Sequence, residues 1–220
     1  MSVDSEQIAW EGGTISAVWD HADRAGAVLV LGHGAGGTLH TAHLARFAAA
    51  VAARGITAVR FNFPYAEARR RVPDRQPILE ACYRAAASHI AERSARGVDL
   101  FLGGRSMGGR IASHLVADGH PARGLVFVSY PLHPPREPER LRAVHLERIT
   151  IPMLFLQGTR DAFARSDLLA RTLDRLPTAT LHLIEGGDHG LTVRGREAAA
   201  VIAEVADVAA RWVGDITGLG

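Results

Sequence analysis

Apolar residues recur along this chain in short unbroken runs, each bounded by glycine or proline and followed by a stretch with helical spacing. The first pair of runs differs. Ile8-Ala9-Trp10 and Ile15-Ser16-Ala17-Val18-Trp19 flank Glu11-Gly12-Gly13, which predicts an antiparallel hairpin. Then a regular alternation sets in. Ala27-Val28-Leu29-Val30-Leu31 predicts a buried strand, followed by the turn His33-Gly34-Ala35-Gly36-Gly37 and a helix over residues 43–54 that Gly55 stops. Residues 56–61 predict the next strand, and a loop carrying Pro64, Pro73 and Pro77 leads into a helix over residues 78–96. Further strands are predicted at 98–103, 124–129, 152–157 and 179–184, with helices ending at Asp118, spanning 167–176 and closing the chain at 197–213. Strands that are apolar throughout and separated by helices imply a mostly parallel sheet covered on both faces. The pattern therefore reads as one α/β domain over residues 1–220, a doubly wound sheet with an N-terminal hairpin.

One strand-to-helix junction carries chemistry. Gly104-Arg105-Ser106-Met107-Gly108 is a G-x-S-x-G sequence between an apolar strand and a helical segment, the context of a nucleophile elbow. Small residues at 104 and 108 let strand and helix backbones approach. In a parallel sheet, functional groups collect where the strands end. Asp161 follows the strand that ends at Gln157, and His189 follows the strand that ends near Ile184. The order Ser, Asp, His and the shared sheet edge point to a triad: Ser106 as nucleophile, His189 as general base, Asp161 as its orienting acid. Asp167 and Asp188 are weaker rivals for the acid. An oxyanion needs fixed N–H donors. Met107 at the start of the elbow helix is one candidate, and Ala35 in the glycine-rich turn is the second, with Gly36 the alternative. Phe63, Tyr65 and His133 fall in loops at the same edge and are candidates to line an acyl pocket, with core packing the competing reading. Arg105 is read as support for the elbow, with an approach to the pocket mouth as the alternative. His33 is read as ordering its own turn. His40 and His43 lack acidic or cysteine partners at metal-ligand spacing, so no metal or cofactor is expected.

Composition narrows the classes. Apolar residues make up 47% and charged residues 22%, an ordinary soluble balance. No apolar run approaches a membrane span, and the polar start Met1-Ser2-Val3-Asp4-Ser5-Glu6 is unlike a secretory leader, so a cytoplasmic location is expected. Cys82 has no partner in the chain and reads as a small buried hydrophobe. All 25 basic residues are arginine, and the net charge is only +2. Arg69-Arg70-Arg71 is the one tight cluster and reads as a solvated loop, so neither nucleic acid nor membrane is an expected partner.

Five segments together resemble the small dienelactone-hydrolase-like α/β-hydrolases: His33-Gly34-Ala35-Gly36-Gly37, Arg60-Phe61-Asn62-Phe63-Pro64-Tyr65, Gly103-Gly104-Arg105-Ser106-Met107-Gly108-Gly109-Arg110, Tyr130-Pro131-Leu132-His133 and Gln157-Gly158-Thr159-Arg160-Asp161. Within these, the chain resembles the group containing the hydrolase-like domain of NSL-complex subunit three and testis-expressed proteins. The resemblance implies an α/β-hydrolase fold and the triad and oxyanion assignments above. Ser106 stands where dienelactone hydrolases carry a cysteine. The proline-rich stretch 130–150 is too short for a cap domain. The expected activity is hydrolysis of small-acyl esters or thioesters through an acyl-enzyme. Acyl transfer or perhydrolysis at the same serine, and a catalytically silent scaffold module, are the alternatives.

Overall fold

A computed structural model describes residues 2–218. Within them, β1 (Val3–Trp10), β2 (Gly13–Asp20), β3 (Ala27–Gly32), β4 (Ile56–Phe61), β5 (Asp99–Arg105), β6 (Gly124–Val128), β7 (Met153–Gly158) and β8 (Ala179–Ile184) form one sheet in the order β1-β2-β4-β3-β5-β6-β7-β8. The β1–β2 hairpin is antiparallel with Trp10 opposite Gly13, and β2 joins β4 antiparallel; every later pairing is parallel. The helices are α1 (Ala42–Ala52), the single turn α2 (Pro64–Glu67), α3 (Gln76–Arg93), α4 (Met107–Ala117), α5 (Ser166–Leu173) and α6 (Ala198–Thr217).

The alternation of side chains along each strand divides the core into two layers. Val28 and Val30 of β3 face the layer that holds Tyr83 of α3 and Ile111 of α4. Ala27, Leu29 and Leu31 face Phe47 of α1 and Val205 of α6. This is the doubly wound arrangement the apolar runs imply.

The differences from the sequence pattern have local causes. β5 runs on through both glycines to Arg105, because pairing with β3 and β6 continues to Gly32↔Gly104 and Arg105↔Val128. Helix α3 begins at Gln76, before Pro77, since a proline in the first turn lacks only an N–H that has no helical acceptor. The outermost strand β8 is apolar in sequence yet half-open, with Leu183 44% exposed. Between β6 and β7 lies only a 3₁₀ helix, Val144–Arg148, so among the described residues no cap domain covers the sheet edge. No helix among them is long and apolar enough to cross a membrane.

Candidate active site

Ser106 occupies the turn from β5 to α4 with φ 51° and ψ −113°, a strained conformation for a residue with a side chain. The surroundings over-determine it. Its N–H donates to Val128 O (3.0 Å), and α4 starts at the next residue. A Cβ at Gly108 would lie 2.0 Å from Gly32 O, and one at Gly104 2.2 Å from the same oxygen, so β3 and α4 can meet here only over glycine. Tyr83 braces the same point from α3: its hydroxyl oxygen accepts the Gly103 N–H (2.9 Å) and lies 2.7 Å from Gly103 O.

The loops after β7 and β8 are laced together. Thr159 Oγ1 accepts the Gly186 N–H (2.8 Å), and Gly187 O accepts the Arg160 N–H (2.8 Å). Gly158 makes this approach possible, since a Cβ there would stand 2.2 Å from Gly187 O. The result is a continuous relay. His189 Nε2 is 2.9 Å from Ser106 Oγ, and His189 Nδ1 is 2.8 Å from Asp161 Oδ2. The Asp161 side chain is wholly shielded from solvent. Its Oδ2 also accepts from Gln157 Nε2 (2.6 Å) and its Oδ1 from the Phe163 N–H (2.7 Å). Facing an acceptor-only carboxylate, His189 Nδ1 carries the proton, which leaves Nε2 to accept from the serine hydroxyl. Phe163 packs on the imidazole with ring centroids 4.3 Å apart. Arg105 Nη2 donates to His189 O (3.0 Å), tying the elbow to the histidine loop, and burial lowers the guanidinium's pKa.

The rival carboxylates are occupied elsewhere. Asp188 Oδ1 accepts the N–H groups of Gly190 (2.8 Å) and Thr192 (2.9 Å) within its own loop, and Asp167 pairs with Arg165 at 2.6 Å.

The turn after β3 is equally well fixed. His33 is fully buried, and its Nε2 accepts the Phe63 N–H (3.1 Å). Its Nδ1 therefore donates to Gly34 O (2.9 Å), and burial pushes the ring down to a pKa of about 4. Tyr65 Oη accepts the Gly36 N–H (3.1 Å) and donates to Gly34 O (3.2 Å). That removes Gly36 as an oxyanion donor. Ala35 and Met107 keep N–H groups with no acceptor among the described residues. The acyl-pocket expectation for Phe63, Tyr65 and His133 is likewise corrected. Phe63 packs edge-on against His33 and Phe61 in the core, and Tyr65 is spent on the turn. His133 is buried, its Nδ1 donating to Pro134 O (2.8 Å) and its Nε2 accepting the Arg165 N–H (3.0 Å).

The cleft of about 260 Å³ beside Ser106 is bordered instead by Asp74, Gln76, Arg110, Arg142 and Phe163, together with Ala35 and Met107. Of these, Arg110 had a sequence signal, because it falls in the first turn of the helix that the elbow serine opens. Asp74, Arg142 and Phe163 come from loops with no periodicity to place them. His40 is exposed and His43 half-buried; among the described residues no group of three or more His, Cys, Asp or Glu is placed to hold a metal ion. Arg69, Arg70 and Arg71 are exposed, Arg70 pairing with Asp74 at 2.7 Å.

The fold has solved counterparts. A serine hydrolase homologue from Coxiella burnetii superposes with a TM-score of 0.79 at 17% identity, covering 97% of this chain and 98% of its own. An α/β serine hydrolase without a lid from Xanthomonas campestris gives 0.78 at 19%, covering 96% and 95%. A dienelactone hydrolase from Anabaena variabilis gives 0.75 at 15%, covering 96% of each. The family model of the α/β hydrolase domain matches residues 25–214. The chain belongs to that α/β-hydrolase family.

Proposed function

We propose that this protein is a metal-independent serine hydrolase that cleaves esters or thioesters of small acyl groups through an acyl-enzyme. The observation that carries the reading is the relay from Ser106 Oγ through His189 to Asp161, with both links shorter than 3 Å. A serine hydroxyl is a poor nucleophile at neutral pH, and a positioned base removes that obstacle. As Oγ attacks the acyl carbon, His189 Nε2 takes its proton, while Asp161 stabilises the imidazolium. Negative charge gathers on the former carbonyl oxygen, which the N–H groups of Ala35 and Met107 receive. Collapse breaks the bond to the alcohol or thiol, which leaves with the proton from His189. Water then enters, gives a proton to His189 and releases the acid, and Ser106 recovers its proton. The open cleft suits small or exposed acyl groups and leaves no apolar lid for interfacial activation. Within the family we group the chain with the hydrolase-like domain of NSL-complex subunit three and testis-expressed proteins, on the motifs around Ser106, His33 and Asp161.

The test is turnover of p-nitrophenyl acetate by the native chain and by Ser106→Ala. The native chain is expected to turn over with an acyl burst, and the variant to lose at least about 10⁴-fold in kcat/KM. Equal turnover in the two would overturn the reading.

A further inference from the structure

The cleft beside Ser106 does not end at Arg110. Gln76, Arg110 and Arg142 also border a second, larger cleft of about 650 Å³ that runs outward past His114 and His145. The three residues border both hollows, so the same two guanidinium groups face the cleft at the serine and the larger one beside it. The charge on this border is unusual. Arg110 is half-buried, and its Nη1 reaches only neutral acceptors, Gln76 Oε1 at 3.0 Å and His114 Nε2 at 3.3 Å. Its Nε and Nη2 have no partner among the described residues. The Arg142 side chain has neither a hydrogen bond nor an ion pair there, while its backbone is fixed by Leu132 O (2.7 Å) and the Tyr130 hydroxyl (3.0 Å).

The two guanidinium groups repel one another, and burial together with Arg142 depresses the Arg110 pKa against the pull of Tyr130 and Glu80. Among the described residues no acid forms an ion pair with either. Glu80 accepts from Gln76 Nε2 (2.7 Å) rather than pairing with arginine. Asp74 binds Arg70 through Oδ1, while its buried Oδ2 has no partner among the described residues. His114 and His145 stack at 3.6 Å, and burial and the arginines hold them at about 4 and about 3, so neither adds positive charge at neutral pH. Arg110 and Arg142 make no ion pair among the described residues, and such planar forks are completed by a carboxylate seated clear of the unpaired Asp74 Oδ2 that shares the cleft.

We propose that Arg110 and Arg142 recognise a carboxylate at the far end of the acyl chain, so that the substrates are half-esters or half-thioesters of short dicarboxylic acids. The proposal rests on the hydrolase reading for the orientation of the ester. The leaving group must lie at His189 to receive its proton, which leaves the rest of the cleft, bordered by Arg110 and Arg142, for the acyl chain. Arg110 lies in the first turn of α4, its N–H donating to Ser106 O (3.1 Å), and both side chains border the same cleft, so a chain of a few methylenes spans the gap.

The experiment titrates the Ser106→Ala protein with monomethyl glutarate and with methyl valerate, its uncharged counterpart. Tighter binding of the glutarate by about tenfold or more is expected, and Arg142→Gln on the same background should bring the ratio near one. Arg142 is only half-buried and holds its loop through its backbone, so this variant should fold; Arg110→Gln is the second arm. Equal binding of the two esters, or a preference that survives both substitutions, overturns the carboxylate site. Fluorophosphonate labelling of the native chain separates the two ideas. Labelling without a preference leaves the hydrolase and removes the carboxylate site. A preference without labelling leaves the carboxylate site and removes the hydrolase.

Discussion

The two sides of the cleft are built on opposite terms. On the His189 side, Ser106, His189 and Asp161 bond to one another, and Arg105 and Gln157 bond to them in turn. On the Arg110 side, Arg142 has no side-chain partner among the described residues, and Asp74 Oδ2 is shielded from solvent without one. The first side spends its hydrogen bonds internally, which is the preorganisation that the proposed reaction calls for. The second keeps hydrogen-bonding capacity unspent, which is what a recognition surface requires. If the two proposals hold, catalysis and selectivity rest on different residues, and each can be perturbed without rebuilding the other.

The largest effect should come from breaking the finished side at its base. Asp161→Asn keeps the shape but can turn an N–H toward His189, favouring the wrong tautomer; kcat should fall by about 10⁴-fold in steady-state ester assays. Next comes Gly108→Ala. Its new Cβ would press on Gly32 O at 2.0 Å, a backbone atom that cannot swing aside. A loss of at least about 3 kcal/mol in urea unfolding is expected, with activity falling in proportion to folded protein.

Most of the finished side was legible in the sequence because it is local. Ser106, Gly104 and Gly108 share one turn, and Asp161 and His189 each stand just past a strand whose apolar run is plain. The same locality fails for the open side. Asp74 and Arg142 reach the cleft through loops whose paths depend on packing, such as the Arg142 N–H bond to Leu132 O, and no spacing encodes that. Phe63 and Tyr65 were misplaced for a related reason. Being in a loop at the right edge does not reveal that His33 draws both inward, through the Phe63 N–H and the Tyr65 hydroxyl. In the fold, the runs located every strand, while the half-open β8 was missed because an edge position is set by sheet order and not by composition.

The buried turn after β3 sharpens the comparison through pH. His33 has its pKa lowered to about 4 by burial, whereas in the unfolded chain it protonates near its ordinary 6.5. Between these values the unfolded state binds more protons, so the contribution is present above pH 6.5 and is lost as pH falls toward 4. His33 alone should lower stability by about 2 kcal/mol between pH 7 and pH 5, and His114 and His145 act in the same direction. Urea titrations at the two pH values check this; equal stabilities would contradict the neutral, buried assignment. The smallest effect should follow Tyr65→Phe, which frees the Gly36 N–H and removes a donor from Gly34 O. About 1 kcal/mol of stability should go. A several-fold drop in kcat should accompany it, read from initial rates, as the Ala35 donor loses its brace.

The central claim is that Ser106 is an activated nucleophile, and intact mass after exposure to a fluorophosphonate probes it most directly. The account predicts one adduct on the native chain, none on Ser106→Ala, and sharply slowed labelling of Asp161→Asn. A folded native chain that takes no adduct, or an adduct that persists in Ser106→Ala, would contradict it.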